Sequence, residues 1–120
     1  MKITDLKHAD DVAGMLPNLY QKTVGRLPGQ MQFSFAHWVF FGVNIGGNFM
    51  NAIISNDLVE AYGRADLGNQ AAMRTYATWL YNDAPRGSWG DRDTLAKWAE
   101  AGGILGIAKS EGRDEIEDSP

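Results

Sequence analysis

The sequence predicts an all-α fold: a single compact domain of five or six helices over residues 1–108, followed by an acidic, flexible tail over residues 109–120. Three observations point there. Apolar residues recur three and four apart along most of the chain, which is the repeat of one helical face. Gly and Pro, with Asp, Asn and Thr placed to cap, punctuate these runs at intervals suited to short helices. Only the stretch around Phe33 alternates as a strand does, and no partner strand is visible for it.

At the N-terminus, Leu6, Ala9, Ala13 and Leu16 share a helical face, with Thr4 as cap and Asp5 in the favourable first turn. Pro17 interrupts this run and can begin a second, short helix lined by Leu19, Tyr20, Thr23, Val24 and Leu27. Gly25 and Pro28 mark its end. Met31, Phe35, Trp38 and Val39 then fit a helix stopped by Gly42. Met50, Ile54, Leu58, Ala61 and Ala65 predict one helix from Phe49 to Ala65, capped by Asn48. On it Glu60 precedes Arg64 by four residues, the favourable order for a surface ion pair. Gly68 stops that helix, and Asn69 caps another with Met73, Tyr76, Ala77 and Leu80 on one side and Pro85 beyond its end. Asp91 caps a last helix, in which Leu95, Trp98 and Ala99 face inward and which Gly102-Gly103 ends. Ile104, Leu105 and Ile107 follow as an arm that packs back.

A chain of 120 residues suits one domain around one core, and 44% hydrophobic content with four Trp, four Tyr and five Phe argues against disorder. The absence of cysteine excludes disulfides, thiolate nucleophiles and cysteine metal sites, and fits a reducing compartment. The opening Met1-Lys2-Ile3-Thr4-Asp5 lacks the apolar run of a signal peptide. The net charge of −4 is uneven: residues 109–118 hold five acids and two bases, which leaves ten acids against nine bases elsewhere. No basic stripe for phosphate contacts stands out, so nucleic acid is a disfavoured partner. Residues 27–56 contain no Asp, Glu, Lys or Arg. The plain reading is a pair of buried helices at the centre of the core. A membrane span is disfavoured, because Asn44, Asn48, Asn51 and Gly46-Gly47 interrupt the run.

Several short strings fall in a fixed order along residues 27–103: Asn48-Phe49-Met50, Ser55-Asn56-Asp57-Leu58, Gly63-Arg64-Ala65-Asp66, Asn69, Tyr81-Asn82-Asp83-Ala84-Pro85, Trp89-Gly90 and Trp98. This resembles a group of small accessory proteins of tailed phages and prophages, whose pattern runs N-D-L, then G-R-A-D, then Y-N-x-A-P, then W-G-S-P. The chain departs from it at Asp91-Arg92, where the pattern has Ser-Pro, so a cap is kept and the following proline is not. The resemblance implies a phage-borne protein working in the bacterial cytoplasm, and it implies no reaction. It makes host machinery the expected partner, with inhibition of a defence complex of the CRISPR type as one such role.

The residues themselves show no assembled catalytic constellation, and no catalytic residue, cofactor or metal is assigned. His8 and His37 lack a metal-ligand spacing, and His37 among Phe35, Trp38 and Phe40 reads as packed on aromatics. Asp57 with Glu60, and Asp91 with Asp93, offer carboxylates for a divalent ion in a small hydrolase or nuclease, but capping and the Arg64 pair account for them. Two helices around Asp66-Leu67-Gly68-Asn69 suggest a helix-turn-helix regulator, although Arg74 is the only base on the second. Protein binding fits best. Phe33, Trp38 and Phe41 give the uncharged stretch more aromatic surface than one small helix buries, and Arg86 and Trp89 share a loop. A homodimer through the same surface is an open alternative.

Overall fold

The computed structural model describes residues 1–119. Among them are nine α-helices: α1 (Ala9–Met15), α2 (Pro17–Val24), α3 (Gly29–Ala36), α4 (Asn48–Ile54), α5 (Leu58–Arg64), α6 (Leu67–Ala71), α7 (Met73–Asn82), α8 (Arg92–Ala101) and α9 (Gly103–Ser110). A 3-10 turn at Ile3–Asp5 precedes them, and α3 runs on into a π-helical turn at His37–Phe41. The all-α single domain is as expected, but five or six helices become nine.

Each extra break has a local cause. The helix expected over residues 49–65 divides because Asn56 takes a left-handed conformation (φ 60°) and the Asp57 carboxylate accepts the Glu60 N–H at 3.1 Å, which starts α5 afresh. After α5 the chain is extended at Ala65, and it is Asp66, with Asn69 N–H at 2.7 Å, that caps α6. Asn69 is therefore a buried residue of α6 and not a cap. Thr4 caps nothing in α1. That helix begins after His8, where the Asp11 carboxylate accepts from the Lys7 and His8 N–H groups at 2.9 and 3.0 Å. Pro17 does open α2, and Gly42 and Gly102 do end their helices, both left-handed (φ 71° and 82°). Beyond Gly102 the expected arm is a helix, α9.

The uncharged stretch supplies the centre of the core. Phe35, Ala36, Val39, Phe40 and Met50 have no exposure at all. Around them three buried indoles act as ties. The Trp79 N–H donates to the Thr23 carbonyl at 2.6 Å, that of Trp38 to Ser88 at 2.7 Å, and that of Trp98 to Trp38 at 2.8 Å. Each ring thereby buries its area and leaves no polar atom unsatisfied. Helix α9 lies tight on the π-helical turn, since a Cβ on Gly103 (φ 68°) would sit 2.6 Å from the Phe40 carbonyl carbon and 2.7 Å from the Gly42 nitrogen. Only glycine permits that approach.

The acidic segment, exposed at residues 111–115, 117 and 119, is nevertheless tied to the body of the domain. Lys109 and Ser110 complete α9. Beyond them, Ile3 N–H donates to the Asp114 carbonyl at 2.9 Å and Ile116 N–H to the Met1 carbonyl at 2.8 Å, while the Ile116 side chain packs on the core. The Asp118 carboxylate accepts the backbone N–H groups of Asn18 (3.1 Å) and Leu19 (2.8 Å). The physical reason is an uncapped helix: α2 begins with Leu16 at its N-cap, which has no side-chain acceptor, so the carboxylate satisfies orphan donors and meets the positive end of the helix. Pro120, the last residue of the expected tail, lies outside the described residues.

Candidate functional site

The five residues singled out for protein contact do not form one surface. Phe33 is 41% exposed and Phe41 half-buried, and His37 stands between them, its ring edge-on to Phe33 (centroids 4.4 Å) and 5.8 Å from Phe41. His37 is buried and packed on aromatics as expected, though on Phe33 and Phe41 and not on Phe35, Trp38 and Phe40, and its Nδ1 lies 3.1 Å from the Phe33 carbonyl. His8, distant in sequence, comes within 6.3 Å of His37, ring to ring. Trp38 is a correction. It is 3% exposed, and its indole is spent on Ser88, so it is core and tie, not contact surface. It belongs to the π-helical turn at His37–Phe41, a wider turn than that of α3, and it faces the interior there while Phe33 stays exposed.

Arg86 is exposed and Trp89 half-buried against the core, in the turn that joins α7 to α8. That loop is fixed from three sides: Trp38 holds the Ser88 carbonyl, Ser88 Oγ donates to the Pro85 carbonyl at 2.6 Å, and Gly90 N–H donates to the Ile54 carbonyl at 2.7 Å. The short strings noted in the sequence thus have structural employment. Asn56 and Asp57 make a corner, Asp66 and Asp91 cap helices, and the buried Asn69 accepts the Tyr76 hydroxyl at 2.7 Å. Burial first, and then the Asp66 carboxylate, push the Tyr76 phenol well above its ordinary pKa.

Three of the four carboxylates considered for a metal, Asp57, Glu60 and Asp91, are committed elsewhere. Asp57 caps α5, and the Glu60 carboxylate accepts from Arg64 Nε at 2.7 Å. Two hydrogen bonds from Thr94, backbone N–H and hydroxyl, each 2.8 Å from Asp91 Oδ1, hold the Asp91 carboxyl below its ordinary value.

A larger feature escaped the sequence reading. Leu58 (60% exposed), Val59 (84%) and Tyr62 (50%) share α5, Leu67 (84%) opens α6, and Tyr81 (89%) lies near the end of α7. Leu58 also lines an apolar groove of about 210 Å³ between the α4–α5 corner and α7, with Ile53, Ala61, Met73, Ala77 and Leu80. Heptad-like spacing placed Leu58 inside. The left-handed Asn56 turns α5 relative to α4 and leaves Leu58 as a lip of the groove while Ala61 stays buried. The available signal was Val59 and Tyr62: a helix so short, with large apolar residues off its buried side, exposes some of them.

Among the described residues, no helix is long and apolar enough to cross a membrane. No known protein family, characterised protein or solved structure matches the chain.

Proposed function

We propose that the chain acts by stoichiometric protein binding, as a phage- or prophage-encoded protein that occupies a bacterial host complex, a CRISPR effector being the first target. The phage-like strings support the setting. The observation that supports binding is the set of five large apolar side chains on α5, at the start of α6 and near the end of α7 that stand at least half exposed, with Leu58 among them lining a groove. Apolar surface gathered in this way marks interaction sites, because leaving it in water forgoes roughly 25 cal/mol for each Å². Phe33 and Phe41 give a second, smaller aromatic contact.

The test is a titration of a purified effector against its DNA target. A stoichiometric inhibitor abolishes cleavage at a fixed molar ratio, with no dependence on time of preincubation beyond association. Val59→Asp combined with Leu67→Asp should weaken inhibition by about 100-fold, near the effect of losing two interface anchors. The melting temperature should stay within a few degrees, since both side chains are exposed. Equal potency of the variant and the parent would remove this face from the proposal.

A further inference from the structure

A second groove, of about 300 Å³, lies where α8, α9 and the loop after α7 meet. Its lining includes Arg86, Thr94, Lys97, Trp98, Ala101 and Ile107, and no acidic residue. Arg86 and Lys97 are exposed, and among the described residues neither makes an ion pair or a side-chain hydrogen bond, whereas Arg26, Arg64 and Arg113 each hold a carboxylate. Two free cations without an acid among the lining residues stand out on a chain of net charge −4. On α8 itself Asp93 and Glu100 lie four residues before and three after Lys97, yet among the described residues neither pairs with it, and Asp91, whose Oδ1 is engaged by Thr94, feels Lys97 only at longer range.

The floor is apolar and rigid. Trp98 is 5% exposed and anchored through its indole to the Trp38 carbonyl, and Ile107 is half-buried on α9. The chain's own acidic segment does not cover this groove, because Asp118 sits on the first turn of α2 and Ile116 on the strand-like contact with Met1. An apolar floor of Trp98 and Ile107 with cations on the rim complements an extended acidic segment that carries one aliphatic side chain. A nucleic-acid backbone fits it less well, since phosphate tracking uses a longer row of cations and exposed aromatic faces for the bases.

We infer that the Arg86–Lys97 groove docks an acidic linear segment of a protein partner, its aliphatic side chain on Trp98 and Ile107 and its carboxylates on the two cations. This rests on the reading of the chain as a protein binder and adds the partner's chemistry.

A fluorescein-labelled Glu-Glu-Leu-Glu-Glu peptide is the probe, read by anisotropy at low salt against the full chain. Saturable binding is expected, weakened about tenfold or more by the double substitution Arg86→Glu, Lys97→Glu, and about tenfold when the peptide's Leu becomes Ser. Added KCl should weaken it as well, because the rim charges are exposed to screening. The double variant should melt with the parent, as both side chains are exposed. Absence of saturable binding up to millimolar peptide overturns the inference. So does equal binding by parent and double variant, or a thymidine oligonucleotide that displaces the peptide at lower concentration than unlabelled peptide does. The effector titration reads α5 and α6 and not this groove, so either result can fail without the other.

Discussion

Two side chains show how closely single residues are constrained. Trp98 both fills the core and satisfies the Trp38 carbonyl at 2.8 Å. Trp98→Ala should cost about 3–5 kcal/mol in denaturant unfolding, the range for truncating a large buried aromatic. A loss under about 1 kcal/mol would mean that the ring is peripheral. Gly103 is constrained in the opposite sense, by the absence of a side chain. Gly103→Ala adds the penalty of a left-handed backbone to a collision with the Phe40–Gly42 main chain. Together these should destabilise by about 2–5 kcal/mol, measurable by thermal melting. The sequence disclosed the helix stop at Gly102-Gly103, but it could not disclose which backbone would press against it, since that contact joins residues some sixty apart.

At the scale of elements, the molecule is a set of short helices whose ends are fixed by carboxylates. Asp11 is held below its ordinary value by the Lys7 and His8 backbone N–H groups, and Asp91 by Thr94. A depressed folded-state pKa means that the unfolded chain binds protons first as pH falls. The contribution of both caps is therefore complete above the ordinary carboxylate value of about 3.9 and is lost as pH drops below it. Acid titration followed by helical circular dichroism should show the parent losing stability below about pH 4, with an Asp91→Asn variant less sensitive there. Asp118 performs the same task from the far end of the chain. Asp118→Ala should cost about 0.5–2 kcal/mol by denaturant melt, the usual effect of removing an N-cap acceptor. Most helix identities were legible, because the spacing of Leu19 to Leu27, of Met73 to Leu80 and of Leu95 to Trp98 has a single good reading. The number of helices was not, because an uninterrupted apolar period from Met50 to Ala65 conceals a break made by one left-handed Asn. Ala99, expected inside, is exposed, since one helix of ten residues needs only Trp98 and part of Leu95 to seat it.

Over the whole molecule, the uncharged stretch, which its sequence left open between core and contact surface, supplies the centre of the core. Trp38 and Phe40 vanish into the interior, while exposed apolar residues appear not only at Phe33, Val43 and Ile45 but on α5, α6 and α7, among charges that had disguised them. Sequence periodicity reports which residues a helix can bury; it does not report which partner helix is there to bury them. Arg86 and Trp89 remain at the surface and half-buried respectively, on a loop whose rigidity comes from Trp38, Ser88 and Ile54. The pairing of the two ends has a topological consequence. Lys2 and Glu115 stand opposite each other in an antiparallel bridge, so the backbone nearly closes into a ring. A circular permutant that keeps residues 1–119 intact and opens new termini in the exposed segment at Val43–Ile45 should melt near the parent, and would let this protein be displayed or fused from a different side.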